Sequence, residues 1–157
     1  MTSVDVIKKY VPLCLLVIFV IVAMIFLLIP PKGKLVCEME NAPGDLNVSY
    51  KYSADYSLWI VKELTVNEEV SSKDKEKLKT YKESLEKDYK VYSNIDSISS
   101  KVEMIETSLV SSTFHVDYSR MNNSDYKAMG DKMNYKNIYV GKLKKIYTKN
   151  GATCRYE

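Results

Sequence analysis

Apolar residues form one long uninterrupted stretch near the start of the chain, from Val11 to Ile29. These nineteen residues include no charge, no Gly and no strongly polar side chain. A helix of about 20 apolar residues is long enough to cross the roughly 30 Å hydrocarbon layer of a bilayer. The pattern therefore predicts a transmembrane helix over residues 11–29, with the lipid bilayer as the first partner of the chain.

The borders of this stretch favour an uncleaved anchor over a processed signal. A cleaved secretory signal has an apolar core of about 7–15 residues and small residues before the cut. This stretch is longer and runs into Pro30 and Pro31. A lipoprotein signal that uses Cys14 is disfavoured, because Leu13 stands where a small residue is expected and apolar residues continue after the cysteine.

The orientation of the span is predicted from the order of tail, span and domain along the chain more than from charge. Lys8 and Lys9 on one side are balanced by Lys32 and Lys34 on the other, so the positive-inside rule gives almost a tie. A short tail before a span and a folded domain after it are typical of a signal-anchor. We therefore expect a cytoplasmic tail over residues 1–10 and an extracytoplasmic domain over residues 30–157 of a single-pass cell-membrane protein.

Alternation of apolar and polar residues with a period of two predicts β-strands in this domain. It is clearest around Phe114, Val116 and Tyr118, which point one way while Thr113 and His115 point the other. Strands are predicted over residues 35–39, 48–53, 58–66, 98–107, 109–119 and 152–156, with turns over 41–44 and 54–57.

Spacings of three and four predict helices between these strands. A helix starts near Ser71, Ser72 and Asp74 and carries an apolar stripe, formed by Leu78, Tyr81, Leu85, Tyr89 and Tyr92. Two further helices are predicted over residues 124–133, with Ser124 as N-cap, and 137–149. The predicted fold class is α+β: one N-terminal transmembrane helix, then an antiparallel sheet with two or three helices packed on one face.

Two cysteines, Cys37 and Cys154, lie in predicted strands near the two ends of the domain. A disulfide between them would close a loop worth about 4–5 kcal/mol of stability on the loop-entropy model. Oxidising compartments outside the cytoplasm favour this pairing. Two buried thiols are the alternative, and the choice depends on the orientation of the span.

The net charge of the chain does not identify a partner. The net charge of +3 is small and evenly mixed, which argues against nucleic acid as a partner. The most basic stretch would suit anionic lipid headgroups or an acidic envelope polymer, and comprises Lys142, Lys144, Lys145, Lys149 and Arg155. The stronger interpretation of these lysines is that they offset the negative end of a helix dipole.

Residues that would support catalysis are not brought together by any motif. His115 has no second imidazole or cysteine nearby, and the five glycines form no phosphate-binding loop. We interpret the acidic pairs Glu68/Glu69 and Glu103/Glu106 as charged side chains that are exposed to solvent. We therefore expect no catalytic, metal or cofactor site and no enzyme activity.

The order of elements and three sequence stretches carry a family resemblance: KLKTYKESLEKDYK, FHVDYSRMN and GKLKKIYTKNGATCRYE. In these features residues 34–157 resemble the small uncharacterised bacterial envelope lipoproteins of the YehR type. The front end departs from that family, since an uncleaved span replaces the lipidated cysteine. The resemblance implies an α+β fold and an envelope location, and it supplies no catalytic residues.

Three functions are compatible with these observations. The first is a non-enzymatic, membrane-anchored domain that binds or scaffolds another component of the bacterial envelope, either a protein or an anionic polymer. The second is an envelope hydrolase that uses carboxylates such as Glu103 or Glu106. The third is an accessory subunit whose helix packs with a partner's helix, although the span has no Gly and only one Ala for close packing.

Overall fold

The structure is a computed structural model that describes residues 16–21, 23–24, 32–41, 45–105, 107–130 and 137–157. The chain divides into two compact units, Met1–Pro31 and Lys32–Glu157. The described residues of the first unit are helical. Among the described residues, no helix is both long enough and apolar enough to cross a bilayer. The rest of the predicted span over 11–29 lies outside the described residues, and the span stays a prediction.

The described part of the second unit is built from strands and helices in α+β order. The strands are β1 (Lys32–Asn41), β2 (Asn47–Ser57), β3 (Ile60–Ser71), β4 (Ile98–Ile105), β5 (Leu109–Asp117) and β6 (Thr153–Tyr156). The helices are α1 (Lys75–Lys90), α2 (Asn123–Met129) and α3 (Val140–Lys149).

One antiparallel sheet contains all six strands, in the order β4-β5-β3-β2-β1-β6. Strands β1, β2 and β3 follow one another as neighbours, and the β4–β5 hairpin then joins the sheet beside β3. The last strand, β6, returns to the far edge and pairs with β1. The predicted α+β class with an antiparallel sheet is therefore confirmed for this unit.

The core lies between one face of the sheet and the helices, because alternate strand residues point to the same side. Leu64 and Phe114 are fully or almost fully buried there with Leu143 of α3. Leu78 of α1 packs on a smaller cluster with Val70 and Val110. Helix α2 contributes Tyr126 and Met129 to the main core. We call the side that carries the helices the helical face.

The second hairpin departs from the predicted boundaries. Residues 54–57 were predicted as a turn, yet they belong to β2, and the turn consists of Leu58 and Trp59. The prediction was wrong because Ala54 and Tyr56 are core residues, only 1% and 9% exposed, and continue the alternation of the strand. A turn of two bulky apolar residues has none of the Asn or Gly that usually marks such a position.

Two helices also begin at other residues than predicted. Helix α2 begins at Asn123 and is capped by Asn122 instead of Ser124, in a capping box closed by Asp125. Residues 131–133 of that predicted helix lie outside the described residues. Helix α3 begins at Val140, not at residue 137, because Tyr139 is extended and forms a β-bridge with Ile60.

Candidate functional site

The second face of the sheet is mostly polar, and none of the helices that the structure describes packs on it. We call it the open face. Its residues form cross-strand rows, in which Glu38 lies opposite Lys51, Lys51 opposite Asn67 and Asn67 opposite Thr113. The other polar members include Glu40, Ser49, Ser53, Thr65, Glu69, Ser99, Lys101, Glu103, Ser111 and His115. The same registers also place the apolar residues Val36, Leu109 and Ile105 on this face. A face of hydroxyls, amides and mixed charges offers many hydrogen-bonding groups to a large polar partner.

His115 lies on the open face, on the polar side of β5 where the alternation predicted it. Its Nδ1 is hydrogen-bonded to Thr65 Oγ1 at 3.0 Å, and its Nε2 lies 3.9 Å from Glu63 Oε2. In the next row, Thr113 Oγ1 donates to Asn67 Oδ1 at 3.0 Å. These contacts hold the side chains of β3 and β5 in fixed orientations across the sheet.

At the β1–β6 edge, charged groups of the open face pair with one another. The guanidinium of Arg155 donates to both oxygens of Glu38, at 3.2 and 3.4 Å, and the ammonium of Lys51 lies 3.6 Å from the same carboxylate. Hydrogen bonds from Arg155 and its positive charge lower the pKa of Glu38. Glu38 is therefore held ionised and is a poor proton donor at neutral pH.

The basic residues that the sequence singled out do not form one patch. Arg155 lies on the open face, bonded to Glu38 and Glu157. The lysines lie on α3, which packs on the helical face; Lys144 sits 4.5 Å from the ring centre of Tyr156, while Lys142, Lys145 and Lys149 are exposed. Contact of these lysines with anionic lipid or polymer stays a prediction.

On the helical face, one carboxylate is buried between the two apolar clusters. Glu68 of β3 is only 5% exposed. The Tyr81 hydroxyl donates to Glu68 Oε1, and Ser112 Oγ donates to Oε2 at 3.4 Å. Tyr89 is hydrogen-bonded to Ser112 at 3.3 Å, and Tyr50 also hydrogen-bonds within the group. Hydrogen bonds of this kind compensate the cost of burying a charge.

The interpretation of Glu68 as a solvated charge was therefore wrong. Glu68 and Glu69 are neighbours in β3, so they point to opposite faces, and only Glu69 is exposed. The sequence did indicate the burial of Glu68, because this residue shares one side of the strand with the apolar residues Val66 and Val70. Glu103 is exposed and paired with Lys101 at 2.6 Å, as expected for a solvated charge, whereas Glu106 lies outside the described residues.

The tyrosines around Glu68 predict a loss of stability at alkaline pH. Burial, then the charge of Glu68 and a hydrogen bond to it, raise the pKa of Tyr50 to about 12. Burial and the bond to Glu68 also raise the pKa of Tyr81. The folded state thus holds these protons more tightly than the unfolded state does, so their stabilisation is complete below about pH 10 and is lost as pH rises toward 12.

Urea unfolding at several pH values between about 9 and 12 tests this dependence. We expect the free energy of unfolding to fall with pH in the natural chain and to fall less steeply in Tyr50→Phe. Tyr139→Phe is the matched control, because Tyr139 is 63% exposed. Identical slopes in the natural chain and in Tyr50→Phe would contradict the argument.

Cys37 and Cys154 lie directly opposite each other in β1 and β6. Their sulfur atoms are 2.05 Å apart and their Cα atoms 4.0 Å apart, consistent with the predicted pairing. Cys37 is completely buried, whereas Cys154 is partly exposed on the edge strand. The bond attaches β6, a four-residue strand at the edge of the sheet, to its neighbour β1.

A polar cleft lies at the N-terminus of α1, lined by residues that include Asp45, Asn47 and Ser108. Asp74 occupies the helix end itself, because its Oδ1 accepts hydrogen bonds from the backbone N–H groups of Glu76 and Lys77, both at 3.1 Å. These amides are therefore not free to bind an external anion. Within the described residues, no group of three or more His, Cys, Asp or Glu side chains is arranged to hold a metal ion.

These features define a class: an α+β domain whose six-stranded antiparallel sheet is covered by helices on one face and polar on the other. No protein-family model matches the chain, and no curated protein sequence matches it significantly.

Among solved structures, the domain is similar to the NMR structure of YehR from Escherichia coli, with a TM-score of 0.55 at 12% identity, covering 80% of this chain and 90% of that one. It is also similar to the NMR structure of a protein from Streptococcus pneumoniae TIGR4, with a TM-score of 0.53 at 12% identity, covering 80% of this chain and 85% of that one. The resemblance to YehR is confirmed as a likeness of fold.

Proposed function

We propose that this protein is a membrane-anchored, extracytoplasmic domain of the bacterial cell envelope that acts by binding or scaffolding, without catalysis. The open face carries the proposal. It runs across six strands, and its side chains are held in place by cross-strand contacts. A broad and preorganised polar surface suits a large envelope partner, either a protein or an anionic polymer, because little side-chain entropy is lost on binding.

The pairing of the acidic groups supports a role without catalysis. Glu68 is enclosed and accepts hydrogen bonds from Tyr81 and Ser112. Glu38 is bound by Arg155, and Glu103 by Lys101. A general acid or base must reach a substrate proton, and a glycosidase typically needs two carboxylates that face each other across the substrate. These carboxylates are instead engaged with their own neighbours.

The proposed membrane anchor is the uncharged stretch 11–29, and two residues separate it from β1. Because only these two residues separate this stretch from β1, the span would hold the domain close to the outer surface of the membrane. The disulfide between Cys37 and Cys154 supports an oxidising compartment outside the cytoplasm.

Labelling with a membrane-impermeant thiol reagent on intact cells tests the location. We use a Cys14→Ser background, so that only Cys37 and Cys154 can react. We expect no labelling before reduction and labelling of Cys154 after it, since Cys37 is completely buried. Labelling that needs permeabilised cells would place the domain on the cytoplasmic side and contradict the proposal.

Photo-crosslinking in living cells tests the open face as the binding surface. A photoreactive amino acid replaces Lys51 or Lys101 on the open face. In the control variants it replaces Glu83 or Lys87 on the exposed side of α1. We expect a specific adduct from the open-face positions alone. Adducts of equal yield from both sets of positions, or none from the open face, would contradict binding through this surface.

A further inference from the structure

Exposed apolar side chains of the second unit concentrate at one end of the sheet. Of the seven large apolar side chains exposed in its described part, four lie there: Leu58, Trp59, Tyr139 and Tyr156. Their exposed fractions range from 45% for Tyr156 to 63% for Tyr139. We call these four residues the aromatic tip. Exposed apolar residues that cluster in this way mark an interaction site, whereas scattered ones need no explanation.

Contacts within the domain hold the tip together. The rings of Tyr56 and Trp59 are stacked with their centres 5.7 Å apart, and the ring of Tyr56 meets that of Tyr156 edge-on at 6.2 Å. The backbone N–H of Val140 donates to the carbonyl of Trp59 at 2.8 Å, which places Tyr139 beside the turn. The tip is therefore a built part of the fold and not a loose loop.

Leu58 and Trp59 form the turn although its backbone conformation disfavours bulky residues. Their φ angles are +53° and +62°, in the left-handed region that Asn and Gly adopt much more readily than bulky residues do. An Asn-Gly pair would close the same hairpin with less strain. Leu58 and Trp59 also remain 56% and 53% exposed, which together with this backbone indicates a use for their exposed apolar surface outside the folded domain.

The place where the chain enters the sheet indicates which partner the tip contacts. Lys32, the first residue of β1, lies opposite Ser57, which immediately precedes the turn. Only Pro30 and Pro31 separate Lys32 from the uncharged stretch that ends at Ile29. The chain thus enters the sheet at the end that carries the tip.

The chemistry of the tip matches the headgroup region of a lipid bilayer. Trp and Tyr concentrate at this depth in membrane proteins, because each joins an apolar ring to a polar group that stays hydrated. Lysines add attraction to anionic lipids. Lys32 is exposed beside the turn, and Lys144 lies over the ring of Tyr156.

We propose that the aromatic tip inserts into the headgroup region of the same bilayer that residues 11–29 enter. The inference rests on the membrane anchor of the proposed function and adds to it a second contact. That contact would hold the end of the sheet against the membrane surface and fix the direction in which the open face points.

Trp59 is the single tryptophan of the chain and therefore reports on the tip directly. The full chain is reconstituted into vesicles of phosphatidylcholine and phosphatidylglycerol, with or without lipids that carry a nitroxide on the headgroup. We expect the nitroxide lipids to quench Trp59 emission, and aqueous iodide to quench it weakly. Leu58→Asn should reduce quenching by lipid and increase quenching by iodide, since it removes the apolar neighbour and leaves the probe in place.

Val91→Asn is the matched control, because Val91 is 71% exposed and is not part of the tip. It should behave as the natural chain does. Asn tolerates the backbone of residue 58 better than Leu, so loss of folding does not explain a change in Leu58→Asn. Equal quenching in Leu58→Asn and the natural chain would contradict insertion of the turn.

Flotation of the vesicles after an alkaline carbonate wash separates the two proposals. If the chain floats but iodide quenches Trp59 and the nitroxide lipids do not, the tip lies in water and the inference is wrong while the anchor stands. If Trp59 is shielded from both quenchers, a protein surface such as a second copy of the chain covers the tip, which also overturns the inference. A chain that does not float contradicts the anchor itself.

Discussion

Loss of the Cys37–Cys154 disulfide is expected to lower the free energy of unfolding by about 4–5 kcal/mol, because the bond joins residues 117 apart in sequence. A closed loop of this length strongly restricts the unfolded chain. Domains of this size are stable by only about 5–15 kcal/mol in total. The reduced protein should therefore unfold at a much lower urea concentration, with β6 as the first strand to separate from the sheet.

Urea unfolding of the oxidised protein, the reduced protein and the Cys37→Ser/Cys154→Ser variant measures this effect. Reduced protein and the double variant should agree with each other. Cys14→Ser is the control and should leave the midpoint unchanged, since Cys14 takes no part in the bond. A midpoint that does not move on reduction would show that the disulfide contributes little to the stability of the fold.

The Leu64→Ala substitution is expected to cost about 2–5 kcal/mol, which is typical of removing a fully buried leucine side chain. Leu64 lies in the centre of the sheet, between β2 and β5, and has 0% exposure. Few neighbouring groups are free to close the cavity, because the strands on both sides are fixed by their backbone hydrogen bonds.

Leu58→Ala is the matched control for Leu64→Ala, because it makes the same chemical change in the same hairpin at a residue that is 56% exposed. Its effect on stability should stay within about 0.5 kcal/mol. Urea unfolding of both variants gives the comparison. Similar losses in the two variants would mean that the core is not where the structure places it.

Much of the domain was predictable because its signals are local. In β5 the alternation around Phe114 identified both the strand and the side that faces the core. In α1 the stripe that begins at Leu78 identified the helix and its buried side, which packs on Val70 and Val110. Period and capping act over a few residues, so they can be read without knowledge of the partners in space.

Other features depended on partners far away in sequence. The turn at Leu58 and Trp59 carries no turn residues, and its backbone is supported by hydrogen bonds between β3 and the segment before α3, as in the bond from Val61 N to Ile138 O. Glu68 is buried because α1 brings Tyr81 over it. The register of β6 with β1 places Arg155 on the face opposite the lysines of α3, where it contacts Glu38.

The sequence by itself determined the uncharged stretch over 11–29, the α+β order of elements and the side of each long strand that becomes apolar, because hydrophobic period is a property of neighbouring residues. Only the tertiary structure decided which groups meet: the enclosed carboxylate of Glu68, the open polar face and the aromatic tip. Each of these joins residues from separate strands and helices, and strand order in a sheet is set by packing of the whole chain.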